Sequence, residues 1–200
     1  MEFVIYPFSF AEFLELYRPI APDEPIQKCF QKYLVSGGMP YLSNIRYEDA
    51  PSKLYLHDLF NSVQLKDIVK RNKILASNEK YYIADHGIRE AVFGGNMHDI
   101  NLILKNIVYL ELLRRDYKVT VGRTGDKETD FVCDKSGEKL YVQVAYLLAS
   151  DETVQREFGA YDNIRDNYPK YVVSLDEFDM SRNGIKHRNI RDFLLAEEWN

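Results

Sequence analysis

Residues 99–147 read DINLILKNIVYLELLRRDYKVTVGRTGDKETDFVCDKSGEKLYVQVAYL, and the hydrophobic period changes within this stretch. Over residues 99–115 apolar side chains recur at helical spacing, which predicts an amphipathic helix with one apolar face. Downstream of the helix the spacing is typical of β-strands. Three segments carry this spacing: 117–122, 129–134 and 140–147. We therefore expect three adjacent antiparallel strands, with the helix packed on them through Ile103, Leu104 and Ile107.

The sequence that follows continues the alternation of helices and strands. The pattern predicts a helix at 152–165, a strand at 171–175 and a last helix at 189–197. Between the second and third strands, the segment Lys135-Ser136-Gly137-Glu138 predicts a hairpin turn. This order of elements is that of an α/β fold with a mixed sheet.

The sequence that precedes residue 99 predicts mainly helices. Ser9 followed by Glu12 is a capping-box signature at the start of a first helix. The segment Ser36-Gly37-Gly38, with Pro40 just beyond, is typical of the end of a second helix. Three more elements are expected: a helix at about 51–72 and short strands at 2–6 and 81–84.

The predicted fold class is therefore α/β. We expect a small mixed sheet flanked by helices over residues 76–200, preceded by an all-helical lead-in over residues 1–75.

The composition limits the function classes. A net charge of −5 over 200 residues argues against a general nucleic-acid coat protein, although it leaves room for a local basic surface. No apolar run approaches the roughly 18 residues of a membrane span, so no membrane partner is expected. Cys29 and Cys133 lie far apart with no histidine nearby, which favours a reducing cytoplasm over a zinc site or a disulfide.

Asp130 lies in the second predicted strand, and a second acidic residue, Glu128, lies just before that strand. Alternation places Glu128 and Asp130 together, opposite Thr129 and Phe131. Two carboxylates on one face can hold a divalent metal, because hard cations prefer oxygen ligands. The same pattern is also typical of a solvated sheet face, so a metal ligand at Asp130 and a surface strand both remain open.

Gln143 and Glu111 are polar residues at positions that the pattern predicts to be buried. Gln143 lies in an apolar strand and could reach Asp130 across a hairpin, or it could be a core glutamine with ordinary hydrogen bonds. Glu111 lies at the centre of the apolar helical face, where a carboxylate needs a metal, a cation or a hydrogen-bond donor. Arg114 and Arg115, one turn further along, could supply that cation.

Four basic residues lie on or just past the third predicted helix: Lys66, Lys70, Arg71 and Lys73. They could contact the phosphates of a nucleic acid, although a run of this kind is also typical of a solvated face. The sequence contains no glycine-rich phosphate-binding loop, no Gly-x-Ser-x-Gly elbow and no paired Cys and His. The four histidines show no metal-ligand spacing. No resident cofactor is therefore expected.

Six segments, covering nearly the whole chain, combine into a recognisable pattern: IYPFSFAEF at 5–13, GGMPY at 37–41, DIVKR at 67–71, the segment 81–89 with its ADHGIR, the run 106–146, and DNYPKY at 166–171. Together they resemble the C-terminal part of a large prokaryotic family of AAA-type ATPases. In that family the ATPase core is followed by a domain of unknown function with a restriction-endonuclease-like, PD-(D/E)XK-type fold. The resemblance implies this fold for residues 76–200, and the end of the ATPase region with linker helices for residues 1–75.

Two departures from the family pattern concern whole modules. The family's ATP-binding motifs would lie upstream of Met1, so this chain is not expected to bind ATP in the family's manner. Family members also carry a winged-helix segment of several tens of residues after the DIVKR stretch. Here that stretch runs almost directly into residues 75–80, which implies that the winged helix, a candidate duplex-binding element, is missing.

A third departure concerns the nuclease-like site. The resemblance aligns Asp130 with the metal-binding aspartate and keeps Glu111. It places Gln143 where active nucleases have Glu, Ala145 where they have Lys, and Lys105 where the family often has Glu. Such sites use carboxylates to hold Mg²⁺ and a lysine to orient water and balance charge. A site with Gln143 and Ala145 is expected to be degenerate, although Lys105 could project its amine into the vacated place.

The resemblance and its departures imply a domain that does not cleave and that acts in interaction or scaffolding. Its partner would be another protein or the parent ATPase module, with nucleic acid as a further candidate. The alternative is a weak metal-dependent nuclease acting on DNA, with Mg²⁺ held by Asp130, Gln143 and Glu111. A third possibility is a remnant of a longer ATPase that retains the fold without the function.

Overall fold

The computed structural model describes residues 4–68, 82–94, 99–124 and 127–199. The chain divides into two compact units, Met1–Met97 and His98–Asn200. None of the described helices is long and apolar enough to cross a membrane.

The first unit contains four helices and a short 3₁₀ turn among its described residues. They are α1 (Phe10–Tyr17), α2 (Ile26–Ser36), the 3₁₀ turn Pro40–Ser43, α3 (Asp49–Ile68) and α4 (His86–Phe93). The capping box predicted for α1 is confirmed, because Ser9 Oγ accepts the N–H of Glu12 at 3.2 Å and Glu12 Oε2 accepts the N–H of Ser9 at 2.7 Å. The side chains of Phe13 and Tyr47 pack edge to face, with ring centres 5.0 Å apart, in a buried aromatic core.

Asp85 joins the start of α4 to the end of α2. Its buried carboxylate accepts the backbone N–H groups of Gly38 at 2.7 Å, Gly87 at 2.9 Å and Ile88 at 3.2 Å. A Cβ on Gly87 would lie 2.2 Å from the carbonyl oxygen of Ser36, so the two backbones approach closely there. This contact joins α4 to α2; α4 also packs against α3 and belongs to the first unit.

The second unit is a mixed α/β fold. Its elements are α5 (Ile100–Arg114), β1 (Lys118–Thr124), β2 (Lys127–Lys135), β3 (Glu138–Val144), α6 (Asp151–Gly159), β4 (Lys170–Ser174), β5 (Lys186–Asn189) and α7 (Ile190–Leu195). The five strands form one sheet in chain order. Strands β1, β2 and β3 are antiparallel neighbours, whereas β4 and β5 are added in parallel.

The predicted core arrangement is confirmed. The helix α5 packs against β1, β2 and β3, and Ile103, Leu104 and Ile107 are all buried. The turn between β2 and β3 is made by Ser136 and Gly137, both with positive φ, as a two-residue hairpin requires. The α/β fold class, with a small mixed sheet flanked by helices and preceded by helices, is therefore established.

Several element predictions are wrong. Residues 4–6 and 82–84, the described parts of two predicted strands, form no strand. The helix α6 ends at Gly159, six residues before the predicted end at 165. Strand β5 was not predicted, because its buried positions are polar: His187 and Asn189 are buried and form hydrogen bonds, so the strand shows no apolar alternation.

The expected domain boundary between residues 75 and 76 lies within residues 69–81, outside the described part of the chain. The helix α4, at residues 86–93, belongs to the first compact unit.

Candidate functional site

The candidate site lies where strands β2 and β3 separate. Regular pairing of the two strands ends at Phe131 and Val142. One residue further, the backbone N–H of Asp130 donates to Gln143 Oε1 at 2.9 Å, and the backbone N–H of Val144 donates to Asp130 Oδ2 at 3.0 Å. The two side chains thus replace the backbone acceptors that the diverging strands no longer offer each other. The expectation that Asp130 and Gln143 meet on neighbouring strands is confirmed.

Lys105 brings a positive charge from α5 to this point. Its Nζ lies 2.5 Å from Asp130 Oδ1. The Asp130 residue is only 3% exposed, so its charge needs a partner. Together with the Val144 N–H, the ammonium group leaves both carboxylate oxygens of Asp130 engaged.

Glu157 of α6 completes a continuous polar network on the other side of Gln143. Gln143 Nε2 donates to Glu157 Oε2 at 2.8 Å, and this carboxylate is 4% exposed. The guanidinium of Arg156 donates to Glu157 Oε1 at 2.8 and 3.0 Å. Because Gln143 accepts from an N–H and donates to a carboxylate, both ends of its amide are fixed.

The network pairs each of its buried carboxylates with a basic side chain. Asp130 has Lys105, and Glu157 has Arg156, whose side chain is 70% exposed. The amide of Gln143 links the two pairs. Buried charges arranged in this way are compensated without a metal ion.

Ala145 lies in a buried apolar cluster of the second unit. It is 2% exposed and belongs to a group that includes Val154, Phe158 and Val172. A lysine at this position would have to place its amine past apolar neighbours. The surroundings of position 145 are therefore those of a core residue.

Glu111 takes no part in the network. The alternative that Arg114 and Arg115 supply its cation is confirmed. Its carboxylate accepts Arg114 Nη1 and Arg115 Nε, each at 2.7 Å. Arg115 also donates to the carbonyl oxygens of Leu194 at 3.1 Å and Ala196 at 2.7 Å, so Glu111 helps to anchor the C-terminal segment to α5.

Other predicted site residues are only partly described. The backbone of Lys66 belongs to α3, whereas its side chain, with Lys70, Arg71 and Lys73, lies outside the described residues. Glu128, which was predicted to share a strand face with Asp130, is exposed. Within the described part of the chain, no group of three or more His, Cys, Asp or Glu residues is arranged to hold a metal ion.

Glu157 was missed by the sequence analysis, although a signal was present. Val154, Glu157, Phe158 and Tyr161 follow the spacing of one helical face. A carboxylate within such an apolar face is a buried charge that needs partners, which is the argument that singled out Glu111. The prediction treated α6 only as an amphipathic helix, and so did not apply the argument there.

A second polar cluster lies at the ends of β4 and β5. His187 Nδ1 accepts the N–H of Met180 at 3.2 Å, so Nε2 carries the proton and donates to Ser174 Oγ at 2.9 Å. Ser174 in turn donates to Asp176 Oδ2 at 2.7 Å. Ser174 is fully buried and lies between the histidine and the aspartate, so this cluster is not the arrangement of a nucleophilic serine with its base.

His187 should make the stability of the second unit depend on pH. Burial lowers the pKa of His187 below its usual value of about 6.5, an effect that the Asp176 and Asp179 carboxylates oppose. The unfolded chain therefore binds this proton more readily, and stability should be complete above about pH 6.5 and fall as the pH drops through that value. A protonated Nδ1 would also face the N–H of Met180.

Urea unfolding followed by the fluorescence of Trp199, the only tryptophan, measures this effect in the second unit. We expect His187→Gln to reduce the loss of stability between about pH 7.5 and about pH 5, whereas His57→Gln, at an exposed position, leaves it unchanged. Equal pH dependence in the wild type and in His187→Gln would contradict the prediction.

The cysteines offer no reactive thiolate. Cys29 and Cys133 are both free and buried. Burial raises the pKa of the Cys133 thiol to about 12 and raises that of Cys29 as well.

Comparison with known proteins shows a distant likeness. A Haemophilus influenzae protein described as an uncharacterized protein is 26% identical to this chain, with 98% of this chain aligned. The chain spans 65% of the length of that relative. The alignment extends over 264 positions, more than the 200 residues of this chain, so it includes residues of the relative without a counterpart here. No protein-family model matches the chain, and no solved structure matches it.

Proposed function

We propose that the second unit is a nuclease-like domain that does not cleave nucleic acid and acts in interaction or scaffolding within a cytoplasmic ATPase system. The observation that carries this proposal is the salt bridge between the Lys105 ammonium group and the Asp130 carboxylate. Asp130 is the residue that the family resemblance aligns with a metal-binding aspartate. An internal cation at that carboxylate competes with a divalent metal for the same charge.

The remaining groups around Asp130 support the proposal. Metal-assisted cleavage of a phosphodiester needs anionic ligands to fix the cation and a positioned group to activate water. Gln143 is neutral, and its amide oxygen is directed at the N–H of Asp130. Glu157, the other buried carboxylate, is paired with Arg156. Since Mg²⁺ keeps several waters and relies on anionic ligands, this set should bind it weakly.

The length of the relative fits the same proposal. The Haemophilus protein has residues beyond the part that this chain spans, and further residues within the aligned region. An ATP-binding module upstream and a winged helix after the DIVKR stretch at 67–71 would occupy such places. The partner of this chain would then be a separate protein or an ATPase module of this kind.

The rival function is a weak metal-dependent nuclease acting on DNA. The position of Lys105 also gives this rival its strongest support, because an amine beside Asp130 could orient a water molecule for attack. In that case Asp130 would hold the metal, with Gln143 as a neutral oxygen ligand.

A plasmid-nicking assay separates the two functions. We expect the purified chain to leave supercoiled plasmid intact in Mg²⁺ and in Mn²⁺, and to hydrolyse no ATP, since it has no glycine-rich loop to hold phosphates. Nicking that disappears in Asp130→Ala would overturn the proposal and establish the rival. Nicking that persists in Asp130→Ala would indicate contamination.

An exchange variant tests the nuclease-like ancestry separately. The double change Gln143→Glu with Glu157→Gln preserves a hydrogen bond between the two side chains but moves the carboxylate beside Asp130. It avoids adding charge at position 145, where a lysine would enter the apolar cluster. Metal-dependent nicking by this variant alone would show that the site is degenerate in residues while its geometry is retained.

A further inference from the structure

The second unit contains a cleft of about 810 Å³. It is lined by residues of α6, of the segment 161–170 and of the turn at residues 182–185, together with Lys127 of β2. This volume is within the range of small-molecule sites, roughly 300–1,000 Å³. None of the residues Lys105, Asp130, Gln143 or Glu157 lines this cleft.

Most of the charged side chains that line the cleft form ion pairs with other lining residues. Lys127 Nζ lies 2.6 Å from Asp162 Oδ2. Lys170 Nζ donates to Asp166 Oδ1 at 2.9 Å, to the Asp166 carbonyl oxygen at 2.7 Å and to the Tyr168 carbonyl oxygen at 3.2 Å. Both cations therefore have protein partners, and the Lys170 side chain is largely shielded from solvent.

Arg182 is the lining cation without a carboxylate partner in the described part of the chain. Its guanidinium lies over the ring of Phe158, 4.8 Å from the ring centre, and its Nε donates to the Met180 carbonyl oxygen at 3.3 Å. This contact holds the guanidinium over the ring, and its Nη groups remain available as a planar pair of donors. Such a pair matches the oxygens of a carboxylate or a phosphate.

The turn that carries Arg182 is well defined. Arg182 and Ile185 exchange backbone hydrogen bonds of 3.0 and 2.8 Å. Asn183 and Gly184 between them have φ values of 53° and 77°, the left-handed conformation of a tight two-residue turn. Because the backbone is fixed before a ligand arrives, little ordering is required on binding.

The cleft also offers apolar surface beside Arg182. Ile164, Tyr168 and Ile185 line it and are only partly buried, with their inner sides packed on the core cluster that contains Phe158 and Tyr161. A ligand with an apolar body could therefore bury surface here while its charged group meets the guanidinium.

We infer that this cleft binds a small organic oxyanion, a carboxylate or phosphate monoester with an apolar or aromatic body. The oxyanion binds the Nη groups of Arg182, and the body packs on Ile164, Tyr168 and Ile185. The inference stands apart from the proposed function, because it uses none of the residues of the Asp130 network.

Phenyl phosphate is a suitable probe, with benzyl alcohol as its neutral counterpart and inorganic phosphate as the anion alone. We expect saturable amide shifts in ¹⁵N NMR spectra of the full chain at Gly159, Asn183 and Gly184, which line the cleft. Both counterparts should bind at least about tenfold more weakly than phenyl phosphate, because benzyl alcohol lacks the oxyanion and inorganic phosphate lacks the aromatic body. Arg182→Gln should weaken phenyl phosphate binding by at least about tenfold.

Arg123→Gln is the matched control, because it removes an exposed arginine from β1 outside the cleft. It should leave the affinity unchanged. Benzoate in place of phenyl phosphate tests whether the oxyanion type matters, and binding of either supports the inference if it depends on Arg182. Absence of saturable shifts with both probes, or equal affinity in wild type and Arg182→Gln, would overturn it.

Discussion

Asp85→Ala is expected to lower the free energy of unfolding of the first unit by about 3 to 5 kcal/mol. The substitution removes the acceptor of three backbone N–H groups, those of Gly38, Gly87 and Ile88. Asp85 is 2% exposed, so water does not readily replace the lost acceptor. Part of the effect is the loss of a helix N-cap, which by itself costs about 0.5 to 2 kcal/mol.

Hydrogen exchange of the amides in α2 and α4 measures this effect within the first unit, separately from unfolding of the second. Asp23→Ala is the matched control, because Asp23 is exposed. Gly87→Ala should also destabilise the unit, although alanine is the better helix former, since its Cβ would meet the Ser36 carbonyl oxygen at 2.2 Å. Protection in Asp85→Ala equal to that of the control would refute the role given to the carboxylate.

The Asp85 contact shows where prediction from the sequence ends. The segments GGMPY at 37–41 and ADHGIR at 84–89 are far apart in the sequence, and no contact between them was predicted. In the structure the aspartate of the second segment binds Gly38 of the first. No local pattern reveals a contact across 47 residues, because helix and strand periods report only which face is buried.

The predicted parts of the second unit share strong local signals. The helix α5 and the hairpin of β2 and β3 were predictable, because apolar spacing and turn residues specify them within a few residues of sequence. Strand β5 lacked such a signal. His187 and Asn189 are buried through hydrogen bonds to Ser174 and to backbone carbonyls, and only tertiary structure supplies these partners.

The sequence predicted where the candidate site lies, but only some of the residues that form it. The predicted hairpin allowed Gln143 to reach Asp130, and the structure shows this contact, because the pairing of the two strands brings the two residues together. The partner of Asp130 depends on how α5 lies on the sheet, which sets whether Lys105 reaches it. Glu111, on the same helix, instead meets arginines one turn away.

Lys105→Met should lower the free energy of unfolding of the second unit by about 3 kcal/mol, because it leaves the buried Asp130 carboxylate without its cation. The methionine keeps much of the apolar stem of the lysine, so the loss reports mainly on charge. Urea unfolding followed by Trp199 fluorescence measures it. Lys139→Met, at an exposed position on β3, is the control and should change stability little.

A double-mutant cycle with Asp130→Asn separates the ion pair from the other contacts of both residues. Asparagine can still accept the N–H of Val144 while it carries no charge. In the Asp130→Asn background, Lys105→Met should lower the free energy of unfolding by about 1 to 3 kcal/mol less than it does in the wild type. This difference is the interaction energy expected of a buried ion pair. Additive effects would mean that Lys105 does not compensate Asp130. The aspartate would then carry an uncompensated charge open to a divalent cation, and stabilisation of the wild-type chain by Mn²⁺ would favour the nuclease over the non-cleaving domain.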